Sequence, residues 1–342
     1  GSEFGLFVTI DGGGNWLQLE GGLPTVAVRD LQIQRRENDL VVGTFGRGIY
    51  ILDDYTPLRH VTAAMVESEA ATFPVKTALM FLPSSDLGWG EKGTQGDAFF
   101  AAPNPPFGAV LTYYLRDEVK SASETRREAE LALAAKGESV RVPSWAELRE
   151  EDLEQAPEVV VTIEDETGAL IRRLPVPSDT GIHRVAWDLR RPPLVPAGSI
   201  WEDNESGPMV APGNYTMRLH KRVNGALMEI AEDRSVEAVP LGIASLPAED
   251  REELAAFHRN AAELQRAVTA TAEVVKEIRK RIAALDGAVD ATPGLDDGVG
   301  AEVLALRRRL AAVEVRLFGD TTIRERREPT MPSVVERVDR VM

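Results

Sequence analysis

The stretch GTFGRGIYILDD, residues 43–54, carries the strongest structural signal in the sequence. It reads as the end of a strand, a tight glycine turn and a second strand rich in branched and aromatic residues. A similar stretch, GSEFGLFVTIDGG, opens the chain. There Gly5-Leu6-Phe7 aligns with Gly48-Ile49-Tyr50, 43 residues further on. The sequence therefore contains two copies of one β-rich repeat.

Residues 1–55 are predicted to be all-β. Short runs such as WLQLE, VRDLQIQ and DLVVGTF are separated by clusters of Gly, Asn and Asp. A period of ~40–45 residues is typical of a four-stranded β-propeller blade. We therefore predict that residues 1–55 are a terminal segment of propeller blades, whose first partners are upstream blades of a parent chain. Residues 1–4 fit the repeat as native sequence, and a cloning remnant is the alternative.

The middle of the chain is predicted to be a β-sandwich. Residues 56–77 form a connector, and residues 78–243 contain roughly seven strand-like runs, as expected for an immunoglobulin or fibronectin type of sandwich. Trp187 is predicted to be its core tryptophan, and Tyr215, after a Pro-Gly turn, its corner tyrosine. Residues 118–153 break the strand pattern with charged, helix-forming sequence, which predicts a surface insertion.

Residues 247–342 are predicted to be α-helical. Apolar residues recur at steps of three and four, which is the period of a helix seam. The first seam comprises Leu254, Phe257, Ala261, Leu264, Val268, Thr271, Val275, Ile278, Ile282 and Leu285, and the second Val303, Leu306, Leu310, Val313 and Leu317. We predict an antiparallel helical hairpin or three-helix bundle. Self-association into a homo-oligomer, through these helices or through open blade edges, is the alternative.

The composition excludes several classes of function. The net charge of −16 disfavours nucleic acid and anionic lipid as partners, because both require clustered Lys and Arg. The absence of cysteine removes disulfides, thiolate nucleophiles and cysteine-ligated metals. No apolar run approaches the roughly 18 to 20 residues that span a bilayer.

TIDGGGNW, Thr9 to Trp16, is the sharpest motif in the chain, with the pattern Ser/Thr, any, Asp, any, Gly, any, any, Trp. The carboxylate of Asp11 is suited to accept backbone N–H bonds that hold a tight hairpin turn. Gly13 permits a positive φ. Trp16 is predicted to pack between neighbouring hairpins. These four positions predict a structural role.

The motif resembles that of the Asp-box, or bacterial neuraminidase repeat, propellers, which include sialidases and sortilin-type ectodomains. DLVVGTFGRGIYILDDYTPLR, residues 39–59, is similar to the closing blade of large bacterial sortilin-like repeat proteins, often labelled glycosyl hydrolases. NPPFGAVLTYYL, HRVAWDLR and APGNYTMRL are similar to the region that follows it. The resemblance implies a sandwich and a helical tail after the propeller, and a secreted, periplasmic or cell-envelope location.

The resemblance also bears on function. Asp-boxes stabilise turns at the propeller periphery, whereas sialidase-type cleavage needs an arginine cluster, a Tyr–Glu pair and an acid drawn from several blades. This chain holds about two blades at most. We therefore expect a non-catalytic accessory scaffold that braces the propeller and contacts a protein or polysaccharide. One alternative is part of a sialidase-like glycoside hydrolase whose catalytic residues lie upstream, and another is a carbohydrate-binding module.

Three residues are candidate ligand contacts. Arg47 in the glycine turn could reach an anionic ligand, although pairing with Asp53 or Asp54 is the favoured structural interpretation. Trp89 and Trp201 lie in polar segments and could stack on sugar rings, with packing over their own loops as the alternative. The four histidines are far apart in sequence, so no metal site and no cofactor is expected.

Overall fold

The computed structural model describes residues 1–83, 102–193, 207–242 and 250–340. The architecture is mixed β and α, with several sheets and a C-terminal helical region, which confirms the predicted class of a chain built from β plus α parts. Two compact units are present, Gly1–Leu189 with Pro212–Ala244 and Arg190–Ala211 with Ser245–Met342. The finer division of the first unit at residues 55 and 77 stays a prediction.

The N-terminal residues form two small sheets. Strands β1 (Phe7–Val8) and β2 (Leu17–Gln18) pair as a two-stranded antiparallel sheet, the small hairpin. Strands β3 (Val28–Gln34), β4 (Asp39–Thr44) and β5 (Ile49–Leu52) pair in sequence order as a three-stranded antiparallel sheet, the meander. The meander contains three of the four strands expected of a complete blade.

Glycine makes the turn between β4 and β5. Gly46 and Gly48 have φ values of 75° and 80°, in the left-handed region that side chains with a Cβ disfavour. The hydroxyl of Thr44 donates a hydrogen bond of 2.6 Å to the carbonyl oxygen of Gly48, which closes the turn. Residues 43–54 therefore contain the turn and the second strand of the hairpin that β4 and β5 form.

The other strands that the structure describes in the first unit form two larger sheets. They are β6 (Ala70–Thr72), β7 (Ala78–Met80), β8 (Ala109–Leu115), β9 (Glu158–Asp165), β10 (Leu170–Val176), β11 (Gly181–Trp187), β12 (Gly213–Val223), β13 (Ala226–Glu229) and β14 (Arg234–Pro240). The order β10-β9-β12-β14-β7, with β13 on β12, forms a six-stranded sheet. Strands β11-β8-β6 form a second sheet of three strands, which is separate from the meander. Strand β6 lies inside the segment predicted to be a connector.

The core of the first unit lies between these two sheets. The ring of Trp187 on β11 meets that of Tyr215 on β12 edge to face, with centroids 5.0 Å apart. Such aromatic pairs stabilise beyond the area that they bury. Alternate residues on each strand point inward, as a pleated sheet requires. Those that are almost fully buried include Ala109, Leu111, Tyr113, Leu115, Val159, Val161, Ile163, Met217 and Leu219.

Three α-helices lie in the described part of the first unit, α1 (Ala63–Glu67), α2 (Ala122–Ala135) and α3 (Trp145–Leu153). The last two lie in the segment predicted as a helical insertion, and neither buries a residue. Both begin with a capping box, Ser-x-x-Glu. The guanidinium of Arg126 joins them by donating to both carboxylate oxygens of Glu151, at 2.7 and 2.8 Å. The insertion is therefore held by caps and ion pairs on the surface.

The second unit contains α4 (Arg251–Ala291), α5 (Asp297–Phe318), α6 (Thr321–Glu325) and α7 (Val334–Asp339). Arg279 and Asp286 of α4 form ion pairs with Glu314 and Arg307 of α5. Because the α5 numbers fall as the α4 numbers rise, the two helices run antiparallel. None of the helices in the described ranges has the length and apolar character that crossing a bilayer requires.

The two seams are buried along only part of their width. Val275 and Ile282 of α4 form a buried cluster with Val303, Leu310 and Leu317 of α5. Val335 of α7 packs against the same cluster. Other seam residues remain roughly half exposed, namely Leu254, Phe257, Leu264, Ile278, Leu285, Leu306 and Val313. The expectation that one hairpin buries both seams is therefore met for one row of residues on each helix.

We expect Trp187→Ala to destabilise the first unit by about 3 to 5 kcal/mol, because a fully buried indole is lost and a cavity remains between the sheets. Guanidinium unfolding followed by circular dichroism measures the loss. Ile182→Ala is the matched control on the same strand, since Ile182 is 49% exposed, and it should cost under about 1 kcal/mol. Equal losses for the two variants would contradict this placement of the core.

Candidate functional site

The candidate site is the N-terminal surface formed by the small hairpin and the meander. Its turn is built by short polar contacts within residues 9–15. Asp11 accepts a hydrogen bond of 2.9 Å from the backbone N–H of Asn15 and one of 2.8 Å from the hydroxyl of Thr9. The backbone N–H of Gly13, whose φ is 102°, donates to the Thr9 hydroxyl at 2.8 Å. The side-chain polar groups of Thr9, Asp11 and Asn15 thus act inside the turn.

These hydrogen bonds fix the charge state of Asp11. The backbone N–H of Asn15, the hydroxyl of Thr9 and the side-chain amide of Asn15 hold the pKa of the carboxyl well below its ordinary value. Because the folded pKa is lowered, the contribution to stability is present above the ordinary carboxyl pKa and is lost as the pH falls below it. At neutral pH the turn therefore contains a carboxylate, which is suited to accepting hydrogen bonds.

The prediction that Trp16 packs between neighbouring hairpins is wrong for this structure. The indole is 61% exposed. The small hairpin has only two short strands, and neither pairs with a further strand among the described residues, so no strand covers the indole. Leu17, the next residue, is equally exposed at 60%. The end of the small hairpin thus presents an apolar surface.

The meander has apolar side chains on both of its faces. The register places Leu31, Val42 and Tyr50 side by side on one face, where Val42 is buried. Side chains on adjacent positions point to the opposite face. That face carries Ile49 and Ile51, which are 72% and 59% exposed, beside polar side chains of β3. One face of the meander is therefore partly covered within the unit, and the other lies open.

An apolar groove of about 340 Å³ lies between the small hairpin and the covered face of the meander. The aromatic ring of Tyr55 lies at its wall, with the Arg59 guanidinium 4.8 Å from the ring centre. The other lining residues are mostly aliphatic: Leu6, Phe7, Val8, Thr9, Ile10, Leu19, Leu31, Ile33, Leu40, Leu58 and Val61. This lining suits apolar side chains better than a charged sugar.

Two cations from outside the meander bind its end. The guanidinium of Arg184 on β11 donates to the backbone carbonyl oxygens of Asp53 and Asp54, at 2.6 and 2.5 Å. The ammonium of Lys76 lies 3.7 Å from the carboxylate of Glu37 and 3.8 Å from that of Asp54. It also donates to the carbonyl oxygen of Glu37. The end of the meander that follows β5 is therefore bound to strand β11.

Sequence reasoning missed this connection. Arg184 and Asp53 are 131 residues apart, and neither belongs to a motif. Arg184 is exposed on a strand with Ile182, which resembles an ordinary solvent-facing position. The only signal was the double acid after β5, and it pointed to Arg47 as the partner.

The favoured pairing of Arg47 with Asp53 or Asp54 is wrong. Arg47 is exposed and forms no ion pair with the residues that the structure describes. Strand β5 separates the turn from the two acids, and at ~3.3 Å per residue its four residues carry them to the opposite end of the meander. Trp89 and Trp201, the candidate sugar contacts, lie outside the described residues. Within the described ranges, no three His, Asp or Glu residues gather as a metal site.

No family model matches this sequence, and no curated protein is significantly similar to it. The site is therefore interpreted from its own geometry. It offers an apolar surface with a hydrogen-bonded turn at one edge and a cationic clamp at another. Such a surface is suited to packing against another protein layer.

We expect Asp11→Asn to loosen the hairpin turn, because an amide accepts more weakly than a carboxylate and has only one acceptor oxygen. Amide hydrogen exchange at Gly13 and Asn15 should become faster, while exchange in β8 and β11 stays unchanged. Glu20→Gln, an exposed carboxylate outside the turn, is the control. Unchanged exchange at Asn15 in Asp11→Asn would contradict the role given to this side chain.

We expect Arg184→Ala to release the meander from strand β11 at a cost of about 1 kcal/mol, since both hydrogen bonds lie at an exposed position. Amides of β4 and β5 should exchange faster than in the parent chain. Arg173→Ala, at an exposed arginine of β10, should leave them unchanged. If the two variants behave alike, Arg184 does not hold the meander.

Proposed function

We propose that this chain is a non-catalytic accessory region of an Asp-box propeller protein of the sortilin-like kind. In this proposal the small hairpin and the meander are blade strands, and the sandwich, of immunoglobulin or fibronectin type, braces them together with the helical hairpin. The assembly contacts a protein or polysaccharide at the cell envelope or outside the cell. The observation that carries the proposal is the exposure of Ile49 and Ile51 on the open face of the meander, beside the polar Asp30 and Gln32 of β3.

Two apolar faces are what a propeller blade requires. Each blade packs against one neighbour on each side, so neither face meets water. A sheet that covers a core with one face only shows the opposite pattern, with polar residues on its outer face. Ile49 and Ile51 break that pattern on the open face of the meander. A further blade packed on this face would cover them.

The clamp formed by Lys76 and Arg184 supports the bracing role. It binds the backbone and carboxylate groups at one end of the meander, which leaves the open face free. Hydrogen bonds from cations to backbone carbonyls fix position without requiring a precise side-chain fit. The sandwich can thus hold the blade segment in place while other blades pack beside it.

The non-catalytic part of the proposal is supported by the partners of the acids. The Asp11 carboxylate is occupied inside its turn, and that of Asp54 faces Lys76. Glycoside hydrolysis requires two carboxylates set across a cleft, one of them free to transfer a proton. The groove beside the meander is lined mainly by aliphatic residues. Its chemistry fits packing, not sugar cleavage.

The test compares one double variant in two contexts. In this chain, Ile49→Ser with Ile51→Ser should lower the binding of a hydrophobic dye and leave the melting temperature nearly unchanged, because both side chains are exposed. In the longest natural reading frame that contains this chain, the same change should cost about 2 to 4 kcal/mol, because the side chains are then buried between blades. Chemical denaturation measures the difference.

Ile182→Ser, at an exposed position of β11, is the control and should be nearly neutral in both contexts. A neutral effect of the double variant in the long chain would overturn the blade assignment, as would a reading frame without further Asp-box units. Hydrolysis of a chromogenic glycoside by this chain alone would overturn the non-catalytic part.

A further inference from the structure

The paired helices α4 and α5 bury one heptad row and expose the next. On α4 the row Ala261, Val275 and Ile282 is buried, and we take it as position a of the heptad. On α5 the corresponding row is Val303, Leu310 and Leu317. Where the two helices lie side by side, the residues at position d are exposed by 40 to 47%, and we call them the d face: Ile278 and Leu285 of α4 with Leu306 and Val313 of α5.

The d positions of both helices lie on one side of the pair. The ion pairs of Arg279 with Glu314 and of Asp286 with Arg307 connect e positions and define the opposite side. In an antiparallel pair whose a rows meet, the e rows share one side and the d rows share the other. The d face is therefore one continuous apolar strip on a two-helix layer.

The positions beside the d face combine alanine with charged residues. Alanine occupies Ala284, Ala288 and Ala291 of α4 and Ala305 and Ala312 of α5, and charged residues hold most of the other c and g positions, including Arg281, Glu302, Arg309 and Arg316. On the other side of α4, charged residues fill the f positions Arg259, Arg266, Glu273 and Lys280. Small residues beside an apolar strip permit close packing of another helical layer.

We propose that the d face binds the d face of a second copy of this chain, forming a four-helix bundle. A two-fold axis parallel to the helices places α4 of one copy over α5 of the other at the same height. Since Arg279 lies level with Glu314, Glu277, which pairs with Arg281 of its own helix, lies level with Arg316 of the second copy. Arg316 forms no ion pair with the residues that the structure describes. The rim of the interface is thus self-complementary in charge.

The size of the d face is sufficient for a stable dimer. The 22 residues of α5 give a length of ~33 Å at 1.5 Å per residue. Two helices about 10 Å apart give a width of ~20 Å, so the face covers on the order of 700 Å² per copy. A standard protein interface buries ~800 Å² per partner. The inference concerns the second unit alone and does not depend on the function proposed for the first.

The test is sedimentation equilibrium of the full chain and its variants. The unmodified chain should be a dimer. Ile278→Glu with Leu285→Glu should raise the dissociation constant at least ~100-fold, because two carboxylates would be buried at the interface. Both positions are exposed in the single chain, so circular dichroism should show unchanged helix content. Lys280→Glu, on the charged side of α4, should leave the dimer intact.

A charge exchange tests the choice of partner. Glu277→Arg and Arg316→Glu should each weaken the dimer several-fold at low salt, and the chain that carries both changes should recover. An unmodified chain that is monomeric at its highest soluble concentration overturns the proposal. An assembly that the double glutamate variant leaves intact overturns it as well. Failure of the charge exchange to recover affinity overturns the two-fold arrangement.

Discussion

The burial of apolar faces against another layer is the constraint on which the rest of the structure depends. Between the two larger sheets, the requirement is met inside one unit, where Trp187 and Tyr215 bring the sheets together and the inward-facing rows lose contact with water. The meander and the paired helices meet it on one face each. The open face of the meander exposes Ile49 and Ile51, and the paired helices expose the d face. Exposed apolar surfaces of this kind are typical of interaction sites. The proposed function and the proposed dimer both follow from this one constraint, applied to two different elements.

Charged contacts supply position where apolar burial supplies stability. Arg184 and Lys76 hold the end of the meander through carbonyl and carboxylate oxygens, and Arg126 holds α2 to α3 through Glu151. Glu147, at the start of α3, shows the same use of charge. The backbone N–H and hydroxyl of Ser144, with the guanidinium of Arg141, lower its pKa to about 2. That carboxylate therefore stabilises the helix at any pH above its ordinary value, and the contribution is lost as the pH falls towards 2.

Features with a short range in sequence were predictable. The glycine turn before Gly48, the hydrogen-bonded turn around Asp11, the burial of Trp187 and the helix that became α4 each depend on residues within a few positions, or on a period that the sequence displays. Features with a long range were not. The inclusion of β6 in a sheet, the order β10-β9-β12-β14-β7 and the contact from Arg184 to Asp53 join parts of the chain that share no pattern. Where a long-range partner was inferred from proximity, as for Arg47, the inference failed.

The sequence by itself determined the class of the chain, the places where it turns and the residues that avoid water, because backbone φ preferences and side-chain polarity act residue by residue. Only the tertiary structure decided which apolar row is buried and which stays open. The heptad of α4 gives the rows of Val275 and Ile278 equal apolar character, and the antiparallel approach of α5 covers the first and leaves the second exposed. The same holds for the two faces of the meander. Which of two similar surfaces finds a partner depends on the position of elements that lie far away in the sequence.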